Sequence, residues 1–159
     1  MEVQFDNPSH CKDFVRLNEQ WISEYFSIEE VDRRLAENPM QIVASGGHII
    51  SLVERGRVVG VCALFKENAN CYELARMAVD PQERGKGYGA RLIQAAINRA
   101  QELGASSVYL LSNTALEPAI ALYRKFGFVT RTEGQHPVYA RANIVMELNV
   151  LQEGDSSNA

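Results

Sequence analysis

The sequence predicts one α/β domain of the α+β type over residues 1–150, with a mixed, mostly antiparallel sheet of six to seven strands flanked by about four helices. Three observations predict it. Two amphipathic helical patterns come first, a run of strand patterns joined by polar turns follows, and one strand–helix–strand unit occupies the second half. With 159 residues, 46% of them hydrophobic and 23% charged, the chain is long enough to bury one sizeable core.

The opening residues leave room for a short strand. Phe14, Leu17, Trp21 and Tyr25 then recur at spacings of three and four, which places them on one face of a helix that can start at Asn7-Pro8-Ser9. Ser27-Ile28-Glu29-Glu30 has the capping-box pattern, with Ile28, Val31 and Leu35 on one face of a second helix that Asn38-Pro39 stops. From Gly46-Gly47 the period changes. His48 to Glu54, the turn Arg55-Gly56-Arg57, and the apolar run Val58 to Phe65 make a hairpin, and Tyr72 to Val79 extends it to an antiparallel meander that ends at Asp80-Pro81.

A glycine-rich loop follows. Leu92, Ile93, Ala96, Ile97, Ala100 and Leu103 form the next helical face, which stops at Gly104, and Ser107 to Leu111 reads as a buried strand. A strand on each side of one helix makes a crossover with parallel strands. Ala119, Leu122, Tyr123 and Phe126 then form a helix closed by Gly127, and Phe128 to Thr132 and Asn143 to Asn149 complete the sheet. Residues 151–159 end in Glu153-Gly154-Asp155-Ser156-Ser157-Asn158-Ala159, which carries no large apolar side chain and is expected to be a flexible tail.

Composition narrows the function classes. A net charge of −4 and a pI near 5.4 argue against a non-specific nucleic-acid binder, which needs a basic surface to neutralise phosphates. There is no apolar run of about 18 residues, and Met1-Glu2-Val3-Gln4 lacks the basic and apolar regions of a signal peptide, so no membrane association and a cytoplasmic location are expected. Cys11, Cys62 and Cys71 are odd in number and do not sit at zinc spacing with His10, His48 or His136. They read as buried free thiols, and no metal is expected.

The most informative segment is Arg84-Gly85-Lys86-Gly87-Tyr88-Gly89-Ala90, between the strand Tyr72 to Val79 and a helix. A P-loop would need Lys-Ser/Thr after its last glycine, and none is present. Gly85-Lys86-Gly87-Tyr88-Gly89-Ala90 fits the dinucleotide pattern G-x-G-x-x-A literally. That fold, however, wants an acidic residue about 20 positions on and further strand–helix units; here the next strand ends in Leu111-Ser112-Asn113 and too little sequence remains. The remaining reading takes Arg84-x-x-Gly87-x-Gly89, in which glycines let backbone N–H groups converge on an anion at a helix N-terminus and Arg84 and Lys86 add charge.

In this arrangement the chain resembles the GCN5-related N-acetyltransferase (GNAT) family, whose signature is Arg/Gln-x-x-Gly-x-Gly/Ala. The resemblance covers residues 48–148 and includes Val79-Asp80-Pro81 before the loop, Asn113 at the end of the next strand, and Ala121-Leu122-Tyr123-Arg124-Lys125-Phe126-Gly127-Phe128. It implies transfer of an acetyl group from acetyl-CoA to an amine, with the loop from Arg84 to Ala90 cradling the coenzyme pyrophosphate. It also implies that the backbone of Met77, Ala78 and Val79 meets the thioester carbonyl and the pantetheine arm, and that Asn113 meets pantetheine amides. Glu73, eleven residues ahead of Arg84, stands where the family's histone-modifying members carry their general base, and Tyr123 stands at the family's general-acid position.

The need for both is chemical. An alkyl ammonium of pKa about 10 must lose a proton before it attacks, and the departing thiolate must gain one. Strict alternation would put Glu73 on one face with Ala75, Met77 and Val79, unless the strand bulges. A cysteine-nucleophile route through Cys62 or Cys71 lacks a neighbouring histidine.

The segment from Tyr139 to Leu148 is similar to a bacterial subset of the family, and the expected acceptor is a small-molecule primary amine attacked directly in a ternary complex. The competing readings are a protein or peptide N-acetyltransferase and a non-catalytic acyl-CoA sensor. A homodimer is the expected assembly. Arg141 could clamp a substrate carboxylate or phosphate, although a surface arginine is the simpler account, and Trp21, Tyr25 and Phe26 either border the acceptor cleft or belong to the core.

Overall fold

A computed structural model describes residues 1–137 and 139–151 of the chain. Its seven strands are β1 (Glu2–Phe5), β2 (His48–Glu54), β3 (Arg57–Asn68), β4 (Cys71–Val79), β5 (Ser107–Ser112), β6 (Val129–Glu133) and β7 (Ile144–Asn149). The helices are α1 (Cys11–Tyr25), α2 (Glu30–Glu37), the single turn α3 (Gln41–Ala44), α4 (Tyr88–Glu102) and α5 (Glu117–Lys125). All strands join one sheet in the order β1-β2-β3-β4-β5-β7-β6. The predicted fold class is therefore present, with the optional first strand formed and paired to β2. The tail beyond Leu151 lies outside the described residues.

β1 to β4 pair antiparallel in sequence order; short polar turns join β2 to β3 and β3 to β4, whereas α1 to α3 lie between β1 and β2. After β4 the chain crosses over through α4, and β5 pairs parallel to β4 with Leu74 opposite Leu110. β7 then inserts antiparallel between β5 and β6.

Two apolar clusters occupy the two faces of the sheet. On one face Leu92, Ile93, Ala96, Ile97 and Ala100 of α4 meet Ile50, Leu52, Cys62, Leu64, Leu74, Val108, Leu110 and Met146. Burying such side chains contributes about 1.5–3 kcal/mol each. On the other face Phe14 and Leu17 of α1 meet Ile42, Ile49, Val61, Ala63 and Ala78.

The second helix starts differently from the expectation. Glu29, not Ser27, is its N-cap, and the reciprocal partner is Asp32, whose carboxylate accepts the Glu29 N–H at 2.8 Å. Asp32 is buried by two arginines described below, and this draws the start of the helix two residues along the chain.

Candidate active site

The site begins where β4 and β5 part. Their pairing stops at Leu74 and Leu110, and beyond it the edge of β4 that faced β5 has no strand partner. A β-bulge lies at the same place: Val61 pairs with Ala78 and Ala63 with Ala75, so β4 spends one residue more than β3. Arg76 adopts φ 57° there, a left-handed conformation uncommon for a residue with a side chain.

The bulge changes which way side chains face. Before it, Tyr72 and Leu74 point into the α4 cluster; after it, Ala78 points into the α1 cluster while Met77 and Val79 pack toward α4. The single face for Glu73, Ala75, Met77 and Val79 that strict alternation would give is thus broken between Ala75 and Ala78.

A cleft open to solvent fills the fork. Glu73, Arg76, Met77, Asn113, Tyr123 and Arg141 line it, together with Trp21 and Ile22 of α1. Two predicted catalytic residues and two predicted coenzyme contacts therefore share one cavity. Burial pushes the Glu73 carboxyl up to about 7, opposed by the Arg76 charge and reinforced by that of Glu67. Burial likewise pushes the Tyr123 phenol up to about 12, helped by Cys62. Tyr123 stands edge-on to Phe128, with ring centres 6.0 Å apart.

The loop lies at the N-terminus of α4. Gly87 is the N-cap with φ 78° and Gly85 has φ 81°, and both values favour glycine. The first bond of α4 runs from the Arg91 N–H to the Gly87 carbonyl, so the N–H groups of Tyr88, Gly89 and Ala90 have no partner within the helix. No side chain caps them. Together with the helix dipole they make an anion cradle.

Both loop cations are held by carboxylates. Arg84 donates to the two Glu24 oxygens of α1 at 2.8 and 2.6 Å, and Lys86 pairs with Glu83. The Arg84 guanidinium also lies 6.0 Å from the centre of the exposed Tyr25 ring.

Asn113 turns its side chain away from an open contact. Its Nδ2 donates to the Arg141 carbonyl at 2.8 Å and its Oδ1 accepts the Ala115 N–H at 2.9 Å, which ties the end of β5 to the loop before β7. Arg141 is neither a bare surface group nor a free clamp. It donates to both Asp32 oxygens at 2.7 and 2.8 Å and to Glu29 at 3.0 Å, and its guanidinium covers the Tyr139 ring.

Arg76 binds the same Asp32 carboxylate, and through its Nη2 it donates to the Tyr139 hydroxyl at 2.8 Å. The three side chains are only 3% (Asp32), 7% (Arg76) and 14% (Arg141) exposed, and they join α2, the β4 bulge and the loop before β7. Burial alone would raise Asp32, but the hydrogen bonds from Arg141, the Glu29 backbone and Arg76 outweigh it and hold the carboxyl at about 2.

This hub could not be read from the sequence. Its members stand 44 and 109 positions apart, and no local pattern links them. Trp21 fulfils both expectations at once, since it lines the cleft and packs on the α1 cluster.

Cys62 is buried among the core residues, and Cys11 and Cys71 are free and partly buried. Among the described residues no three His, Cys, Asp or Glu side chains are grouped to hold a metal, and no helix is long and apolar enough to cross a membrane.

The chain is similar to known proteins in sequence and in fold. The family model described as acetyltransferase (GNAT) family matches residues 13–128. An N-acetyltransferase of Schizosaccharomyces pombe is 31% identical over 81% of this chain and 82% of its own. Among solved structures, a GNAT-family acetyltransferase from Staphylococcus aureus superposes with a TM-score of 0.81 at 20% identity, covering 94% of this chain and 99% of the other. The acetyltransferase yncA from Salmonella typhimurium, solved with its cofactor acetyl-CoA, superposes with a TM-score of 0.75 at 19% identity, covering 96% and 95%. The glycine cradle, the forked strands and these likenesses agree: the chain belongs to the acetyltransferase (GNAT) family.

Proposed function

We propose that the protein transfers an acetyl group from acetyl-CoA to the primary amine of a small molecule, by direct attack within a ternary complex. The observation that carries this reading is the fork between β4 and β5, which brings Glu73 and Tyr123 to one cavity beside an anion cradle. The N–H groups of Gly85 to Ala90, with Arg84 and Lys86, hold the pyrophosphate. The pantetheine arm lies along the unpaired edge of β4, where the backbone of Met77, Ala78 and Val79 offers hydrogen bonds to its amides and to the thioester carbonyl. Asn113 braces the opposite lip.

Glu73 takes the ammonium proton, acting through a water. A carboxyl at about 7 is matched to that task at neutral pH, because it is ionised often enough to act and basic enough to hold the proton. The amine then attacks the thioester carbonyl, and the tetrahedral intermediate expels the coenzyme thiolate. A phenol at about 12 facing a thiol of about 8.5 would give up its proton uphill by about 5 kcal/mol. Tyr123 therefore acts first as a hydrogen-bond donor to the nascent thiolate, burial of that thiolate raises its proton affinity until transfer completes, and the second proton that the nitrogen sheds as the amide forms restores the phenol.

Trp21, Ile22 and Tyr139 bound the acceptor's end of the cleft. A cytoplasmic location and a homodimer belong to the same reading, and light scattering checks the second.

The test is coenzyme release with acetyl-CoA over a panel of small amines, amino acids and peptides, with product masses measured. Acetylation of a small amine with intersecting initial-rate lines is expected. Acetylation of peptides only would move the assignment to a protein N-acetyltransferase. Binding of acetyl-CoA without turnover on any acceptor would make the chain a sensor.

A further inference from the structure

Acetylation of an ammonium releases one proton per turnover: R–NH₃⁺ and the thioester give the amide, the free thiol and H⁺. Glu73, which receives a proton in the reading above, is half-buried, and that proton must reach solvent before the next cycle. The sheet supplies a path from it. Phe65, Glu73 and Tyr109 stand in one row across β3, β4 and β5, on the sheet face away from α4.

β3 carries a second bulge beside this row. Lys66 pairs with Tyr72 and Asn68 with Cys71, which leaves Glu67 as the extra residue. From there Glu67 reaches over β4. Its Oε2 accepts the Tyr109 hydroxyl at 3.0 Å, and the same hydroxyl lies 3.5 Å from Glu73 Oε1. Glu67 is exposed to solvent.

We propose that Tyr109 and Glu67 form the exit route for the proton that Glu73 receives, an inference that rests on Glu73 being the base. In the relay the O–H bond of protonated Glu73 breaks toward Tyr109 Oη while the Tyr109 proton passes to Glu67 Oε2. Glu67 then releases its proton to water, and the Tyr109 hydroxyl turns back to its starting orientation. One proton enters at Glu73 and one leaves at Glu67, with no change of oxidation state. Burial and the neighbouring carboxylates push the Tyr109 phenol upward, so it stays protonated between transfers.

Arg76 on β4 favours the ionised form of Glu73 and so favours handing the proton on, while Glu67 on β3 opposes it. Cys71 bears on Tyr109. Tyr123 of α5 and Tyr139 and Arg141 of the loop before β7 face the same cleft from the other side.

The route is tested by steady-state acetylation in Tyr109→Phe and Glu67→Gln, at pH near 7 and in dilute buffer. Each is expected to lower kcat about tenfold with acetyl-CoA affinity unchanged, and added imidazole is expected to restore kcat toward the parent by carrying the proton instead. A parental kcat in both variants would overturn the route, as would a loss that imidazole does not relieve in proteins with parental Tm. Glu67 is exposed, so its variant folds even if Tyr109→Phe does not. Glu73→Gln separates the two claims: full turnover there removes the base itself, whereas slow Glu73→Gln beside fast Tyr109→Phe and Glu67→Gln removes the exit route alone.

Discussion

Replacing Asp32 by Asn removes one negative charge that three elements share. The carboxylate is almost wholly buried and accepts from Arg76, Arg141 and the Glu29 backbone. Two magnitudes bear on the loss. Its carboxyl is held at about 2 against an ordinary 3.8, which corresponds to about 2 kcal/mol of stability that depends on ionisation. Removing one partner of a buried ion pair costs more, about 3–5 kcal/mol, because the arginines left behind are buried without a full partner. Asn keeps part of the hydrogen bonding, so a loss of about 2–4 kcal/mol at pH 7 is expected.

The pH dependence has a definite sign. The folded-state pKa lies below the unfolded one, so this stability is complete above about pH 4 and disappears as pH falls toward about 2. Urea denaturation at several pH values from 7 down to 2.5 measures both effects. The parent should lose more stability than Asp32→Asn across the acid window, so their curves converge. Because the hub also fixes Arg76 at the bulge and Arg141 at the cleft, the variant should raise KM for the acceptor and leave acetyl-CoA affinity near the parent. A variant within about 0.5 kcal/mol of the parent at pH 7, with the same acid limb, would refute the reasoning.

Three further outcomes are expected. The acceptor kcat/KM should rise about tenfold from pH 6 to 8, as a carboxyl near 7 goes from roughly one-tenth to nine-tenths ionised, and Glu73→Gln should flatten that limb in a pH–rate profile. Tyr123→Phe should lower kcat about a hundredfold with acetyl-CoA affinity unchanged by calorimetry, and an unchanged kcat would remove Tyr123 as the acid. Glu24→Gln frees Arg84 from its bidentate partner, so acetyl-CoA should bind about two to five times more tightly; weaker binding would show that the Glu24 contact assists the loop.

The elements were legible because their periods are long and undisturbed. Leu92, Ile93, Ala96, Ile97 and Ala100 announce α4 and are all buried, whereas Leu103, read on the same face, is the exposed C-cap. The glycine loop at the start of α4 was legible because its glycines are spaced for a turn into a helix, and Gly85 and Gly87 do take left-handed conformations there. Two things had no local signature, although the family resemblance raised the first. The facing of β4 depends on a bulge at Arg76, and nothing local distinguishes that arginine from one in a regular strand. The fate of Arg141 depends on Asp32, and a single sequence carries no trace of a pairing across 109 positions. The same distance explains the misplaced cap: Ser27 satisfies the local rule, yet the buried ion pairs select Glu29 and Asp32. Tyr109 and Glu67 acquire a shared role only once β3, β4 and β5 are in register.

The most direct measurement is a crystal structure with acetyl-CoA bound. The pyrophosphate should sit on the N–H groups from Gly85 to Ala90, with Arg84 turned from Glu24 toward it. The thioester should lie in the fork between Leu74 and Leu110, with its carbonyl against the β4 backbone and its sulfur facing the Tyr123 hydroxyl. A coenzyme bound elsewhere, or a thioester out of reach of both Glu73 and Tyr123, would contradict the account.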